Sequence, residues 1–171
     1  VVARREQMNF RRKAVYRFLI VLAQAVALIL VPALALAQQP LVSDPEIYEK
    51  DHFRNECKIA QFDPGFIERF DINNDGIIDL VSNQGKLVCD GKRGPACSND
   101  GCPYNFYLQA KEGGYFMIAT AQLYGYDFVK YFGNMVFLLK MHPRYCDRTD
   151  AEPCEMRVRV KGGRFLTISK K

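Results

Sequence analysis

The chain contains no tryptophan and only two histidines, His52 and His142. It has no C-x₂-C pair either, so the clustered Cys/His ligands of a structural zinc site are missing. There is no G-x-S-x-G elbow, no H-E-x-x-H helix and no phosphate-binding loop, and no nucleophile–base set stands out. Catalytic residues are therefore not assigned. No segment recurs at a fixed period, which excludes a solenoid or propeller.

Beyond residue 37 the chain also lacks net charge. Residues 1–37 hold six Lys/Arg and one Glu, the whole of the formal +5, and residues 38–171 hold 18 basic and 18 acidic side chains. A nucleic-acid partner inferred from the basic pI has no support in that balance.

The first 37 residues read as a cleaved secretory signal with a few residues upstream. Met8 reads as the initiator, followed by Arg11, Arg12, Lys13 and Arg17. An apolar run from Phe18 to Leu36, broken by Gln24 and Pro32, ends in Ala35-Leu36-Ala37. Basic, apolar, then A-x-A is the order of an export signal. Pro32 and the small-residue end weigh against an uncleaved anchor of similar length. Arg11-Arg12 raises twin-arginine export, but Ala14 and Val15 stand where that signal prefers bulkier residues, so the general secretory route is expected. The mature chain, from Gln38, is then periplasmic or extracellular and has no membrane span.

All six cysteines lie in the mature part: Cys57, Cys89, Cys97, Cys102, Cys146 and Cys154. An even count behind an export signal implies disulfides, with 15 possible pairings. The expected set is Cys57–Cys89, which clamps the acidic loop described below, with Cys97–Cys102 and Cys146–Cys154 closing short polar loops. A redox role for Cys97 and Cys102 is the alternative, but active pairs are usually C-x-x-C at a helix start.

Residues 38–50 read as a mobile leader and 51–171 as a single domain. Glu46 to Ile59 suits a short helix, and Asp63-Pro64-Gly65 a second helix start, with Asp63 as its cap. The rest alternates as strands: Ile77 to Val81, returning at Lys86 to Cys89 past Gly85; Tyr104 to Ala110 and Tyr115 to Gln122 around Glu112-Gly113-Gly114; Tyr124 to Phe132 and Asn134 to Met141 around Gly133; Met156 to Lys161 and Arg164 to Ser169 around Gly162-Gly163. The fold class is mainly β (a β-rich α+β arrangement): a small, disulfide-stapled antiparallel domain with a short helical lead-in.

One stretch carries chemistry. In Asp71-Ile72-Asn73-Asn74-Asp75-Gly76-Ile77-Ile78-Asp79-Leu80, side-chain oxygens fall at loop positions 1, 3, 5 and 9. A hard cation such as Ca²⁺ takes six to eight oxygens, and alternate residues of a tight loop can converge on it. Asp71, Asn73, Asp75, the Ile77 carbonyl and Asp79 are the candidate ligands, with Gly76 at the sharp turn. The alternative is an Asx-rich turn whose side chains cap backbone groups. General acid/base work is disfavoured, because paired catalytic carboxylates usually face each other across a cleft.

D-x-N-x-D-G-x-x-D resembles two calcium-loop types. The EF-hand shares the spacing but carries Glu at position 12, where this chain has Ser82, and it leaves the loop in a helix. Loops of FG-GAP and related β-propeller repeats end in D-L or D-L-V, as Asp79-Leu80-Val81 does. The resemblance covers residues 70 to 82 and implies a Ca²⁺ site that exits into a strand. The single copy carries neither propeller architecture nor adhesion with it. The loop followed by Cys89 and Cys97-Ser98-Asn99-Asp100-Gly101-Cys102 is also similar to small exported bacterial proteins of uncharacterised function.

Two further features have paired readings. Tyr124, Tyr126, Phe128, Tyr131, Phe132 and Phe137 suit a core strand face better than a sugar-stacking platform; Tyr124, Tyr126, Phe128 and Phe132 share one parity. Residues 155–171 carry net +5 against −6 for residues 38–81. Arg157, Arg159, Lys161 and Arg164 suit either a solvated strand that resists edge pairing or contact with an anionic envelope surface. The expected function is an exported calcium-binding structural or interaction domain. The alternatives are an envelope-binding module using the basic hairpin, or a periplasmic hydrolase or enzyme inhibitor.

Overall fold

A computed structural model describes residues 41–149 and 152–171. The secretory-signal reading, on residues 1–37, lies outside them. The expected leader carries structure where it is described. Val42 pairs with Tyr115 through reciprocal backbone hydrogen bonds of 2.8 and 2.7 Å. Helix α1 then runs Pro45–Glu56. Asp44 caps it, accepting from the Glu46 amide at 2.8 Å, with Pro45 preset for the first turn. Its buried face is Pro45, Glu49 and Phe53, an i, i+4 stripe continued by Cys57 at the C-cap.

Eleven strands follow: β1 Ala60–Phe62, β2 Ile67–Phe70, β3 Asp79–Asn83, β4 Leu87–Cys89, β5 Lys92–Arg93, β6 Cys102–Gln109, β7 Tyr115–Leu123, β8 Gly125–Tyr131, β9 Asn134–Met141, β10 Cys154–Lys161 and β11 Arg164–Lys170. Among the described residues these eleven strands build three antiparallel sheets in the orders β2-β3-β6-β7, β11-β10-β9-β8 and β1-β4-β5. The mainly β, disulfide-stapled class expected from sequence is what the chain adopts.

Two of the expected secondary-structure assignments change. Asp63-Pro64-Gly65 is not a helix start. Gly65 takes φ +85° and the Phe66 amide bonds the Asp63 carbonyl at 3.0 Å, a type II turn that feeds β2. The β4 strand does not return along β3. A 3₁₀ turn at Gln84–Lys86 redirects the chain, and β4 pairs with β1.

The two four-stranded sheets stack. Val81, Phe106 and Leu108 from one meet Phe137, Leu139 and Val158 from the other, with Phe106 and Phe137 edge to face at 6.1 Å. Both central strands, β3 and β6, are buried on both faces because α1 covers the side away from this core. A smaller cluster of Phe53, Cys57, Phe66 and Leu87 joins the end of α1 to the β1-β4-β5 sheet.

The bridges are Cys57–Cys89, Cys97–Cys102 and Cys146–Cys154. Gly101, between the second pair, has φ +108°, and a Cβ there would lie 2.3 Å from the Leu123 carbonyl oxygen, so only glycine lets the bridged loop seat on β7. Three disulfides fit an oxidising compartment. Among the described residues, no helix is long and apolar enough to cross a membrane.

The aromatic run divides. Tyr126 and Phe137 belong to the core, while Tyr124, Phe128, Tyr131 and Phe132 are 45, 44, 63 and 87% exposed. Phe128 on the edge strand β8 still stacks on Phe70 of the opposite sheet at 5.2 Å, and Tyr124, just before β8, donates its hydroxyl to the Asn99 carbonyl at 2.7 Å, whereas Phe132 lies in the β8–β9 turn beyond the strand.

Candidate metal centre

The acidic loop spans the gap between β2 and β3. Ile72, at its second position, is fully buried in the sandwich core and pins the loop to it. Two backbone reversals wind the loop: Asn74 at φ +61° and Gly76 at φ +87°. Asn is among the few side chains that accept this conformation readily, and Gly accepts it freely.

The loop's side-chain oxygens gather its own amides. Asp71 accepts from the Asp75 and Gly76 amides at 3.1 and 2.8 Å. Asn73 Oδ1 accepts from the Asp75 amide at 3.0 Å, and Asp75 Oδ1 from the Ile77 amide at 2.8 Å. Asn73 Nδ2 donates to Asp75 Oδ2 at 2.9 Å. Asp79 lies beneath, fully buried, with one oxygen on the Ile72 amide at 2.8 Å and the other on the Gln109 amide at 2.9 Å. It thereby ties both ends of the loop to the end of β6.

Burial, opposed by the Gln109 and Ile72 amides and reinforced by the charges of Asp75 and Asp71, raises the Asp79 carboxyl to about 6. A nearby cation would act in the opposite direction and favour the ionised form.

Among the described residues, no group of three or more His, Cys, Asp and Glu side chains is arranged to hold a metal ion. Asp71 and Asp79 each place both oxygens on backbone amides, and Asp75 places one on a backbone amide and the other on the Asn73 side-chain amide. The donors fit Ca²⁺ in kind, all being hard oxygens, and the set includes two that are not carboxylates: the Asn73 amide oxygen and the Ile77 carbonyl. Each carboxylate oxygen that accepts one amide keeps a further lone pair.

The loop also touches the other sheet. Asn74 Nδ2 donates to the Gly133 carbonyl at the β8–β9 turn, at 2.9 Å. The β10–β11 turn lies at the same end of that sheet by register, and a Cβ on its Gly163 would sit 3.2 Å from the Phe116 ring.

Sequence reasoning missed a buried carboxylate that accepts three side-chain hydrogen bonds. Glu49, on the covered face of α1 and 3% exposed, places Oε1 where three side chains donate to it. They are Asn105 Nδ2 at 2.6 Å, Tyr107 Oη at 2.7 Å and Ser82 Oγ at 3.0 Å. Thr120 Oγ1 extends the network by donating to Asn105 Oδ1 at 2.7 Å. Burial and the Glu49 carboxylate hold the Tyr107 hydroxyl well above its ordinary range, so it stays a donor. The available signal was the i, i+4 stripe Pro45, Glu49, Phe53, which puts a charge in line with buried residues.

The C-terminal cations are partly engaged. Arg157 bonds Glu155 at 2.9 Å and Lys170 bonds Asp147 at 2.6 Å, while Lys161 and Arg164 lie exposed beside the β10–β11 turn.

No family model, curated protein or solved structure matches the chain.

Proposed function

We propose that the protein is an exported calcium-binding structural or interaction domain, with Ca²⁺ taken by Asp71, Asn73, Asp75, Asp79 and the Ile77 carbonyl. The observation that carries this reading is a tight loop with oxygens at positions 1, 3, 5 and 9, wound by Asn74 and Gly76 at positive φ. The ion would offset three carboxylates on one turn. Position 12 is Ser82, which is buried on Glu49 and supplies no bidentate carboxylate, so the site is weak. A Kd on the order of 10⁻⁴ to 10⁻³ M is expected, in the range of extracellular modules. Isothermal titration should give one site in that range. Asp75→Ala should abolish it, and Mg²⁺ should bind far more weakly, because it demands octahedral geometry and keeps its waters. Equal heats for the wild type and Asp75→Ala would reject the ligand set.

The exported location rests on the basic, apolar, Ala35-Leu36-Ala37 order and is supported by the three disulfides. The mature chain should begin at Gln38. N-terminal sequencing of secreted material that still carries Met8 would reject cleavage.

A second reading, contact with an anionic envelope surface, is supported by the exposure of Lys161 and Arg164 at the β10–β11 turn.

A further inference from the structure

The β8–β9 hairpin turns on two residues, Phe132 and Gly133, with φ +46° and +73°. Two positive values suit a two-residue hairpin, whose mirror-image turn matches strand twist. Asn, Asp or Gly fits the first position readily, and a bulky aromatic does not. Phe132 nevertheless stands there and is 87% exposed. Its ring meets that of Tyr131 edge to face at 4.5 Å, and Val129 on the same edge strand is 46% exposed. The tip thus combines a strained backbone with a large apolar side chain that packs on none of the core clusters.

Three exposed cations lie at this end of the sheet. Lys130 is adjacent and exposed. Lys161 and Arg164 flank the β10–β11 turn at the same end of the sheet and are exposed too. The hydrogen bond from Asn74 to Gly133 fastens the tip to the acidic loop, so the pole is anchored from below. Exposed aromatic rings beside cations match the interface of an anionic bilayer, where rings lie at headgroup depth and Lys/Arg meet phosphates.

We propose that this pole docks on an anionic lipid bilayer, with Phe132 and Tyr131 seated at the headgroup boundary and Lys130, Lys161 and Arg164 on the headgroups. The inference rests on the envelope-contact reading for the sign of the surface and adds the part that inserts. The carboxylates of the neighbouring loop oppose such a surface, so calcium, if bound there, strengthens docking.

The absence of tryptophan makes the test direct. Phe132→Trp in the mature chain is the sole tryptophan, and its emission should shift to the blue on phosphatidylglycerol-containing phosphatidylcholine vesicles. Phe132→Asn, which suits the positive φ, should melt no lower than the wild type, yet partition roughly ten- to hundredfold less in vesicle sedimentation, the ratio expected for one withdrawn Phe side chain. A shift in either chelator or millimolar calcium supports the proposal, which therefore stands apart from the calcium reading. No shift in either buffer overturns it. If Phe132→Asn binds vesicles like the wild type while Lys161→Ala/Arg164→Ala loses binding, the inserting tip is wrong and the basic-hairpin reading survives. A concentration-dependent dimer that Phe132→Asn abolishes, without vesicle binding, would assign the tip to a second copy of the chain and also overturn the proposal.

Discussion

Glu49→Ala should lower the melting temperature of the metal-free domain by roughly 10 to 20 °C, a loss of about 3–5 kcal/mol. The substitution removes one acceptor but strands three donors, from Ser82, Asn105 and Tyr107, in a closed layer between α1 and the central strands. An unsatisfied buried donor costs about 1–3 kcal/mol, so the loss exceeds that of one hydrogen bond. Glu49→Gln keeps an acceptor oxygen and loses the charge assistance, so it should cost about 1–2 kcal/mol. Tyr107→Phe combined with Glu49→Ala should cost less than the sum of the two, because the second removes the partner that the first leaves behind. Thermal melts followed by circular dichroism compare these four variants with the wild type. A shift under about 2 °C for Glu49→Ala would mean that the carboxylate does not hold the helix to the sheet.

Cys57→Ala/Cys89→Ala should lose up to about 3.7 kcal/mol, the chain-entropy value for a closed loop of this length. The two residues are 32 positions apart, and the ring they close holds β1, β2, the acidic loop, β3 and β4, starting one residue past the end of α1. Removing Cys97–Cys102, which spans 5 positions, releases much less of the chain and should cost correspondingly less on the same scale. Denaturant melts of the two double variants test the order. Equal losses would place the Cys57–Cys89 contribution in local packing, since both residues also lie in or against the Phe53, Phe66 and Leu87 cluster.

The hairpins β6–β7, β8–β9 and β10–β11 were legible because glycines at positive φ punctuate alternating runs: Gly113-Gly114, Gly133 and Gly162-Gly163. The disulfide pairing was legible because each bridge follows chain proximity or clamps one loop. The β4–β1 pairing was not. It joins segments some 25 residues apart, and Lys86 to Cys89 carries no mark of which strand it will meet. Asp63-Pro64-Gly65 misled for a chemical reason: a helix cap and a type II turn use the same residues, and Gly65 decides between them through φ. For Glu49 the i, i+4 stripe with Pro45 and Phe53 hints at burial, but the three donors it meets come from strands whose far face is covered only in the folded sheet. Phe132 was read as core on parity alone, which holds inside a covered strand and fails at an edge-strand tip. The acidic loop reads from sequence as a Ca²⁺ loop that exits into a strand; the strand exit is seen at Asp79, and the amide-gathering geometry follows from the same Asp and Asn residues that would bind an ion.

The thermal melt of the mature protein in chelator and in millimolar Ca²⁺ tests the calcium site most directly. At free Ca²⁺ about tenfold above Kd, linkage adds ~1.4 kcal/mol. For a domain of this size that raises the melting temperature by roughly 3 to 6 °C. The rise should vanish in Asp75→Ala and fail to appear with Mg²⁺ at the same concentration. Superimposable curves in chelator and calcium would contradict the account and leave Asp71 to Asp79 as an acidic turn that caps its own amides.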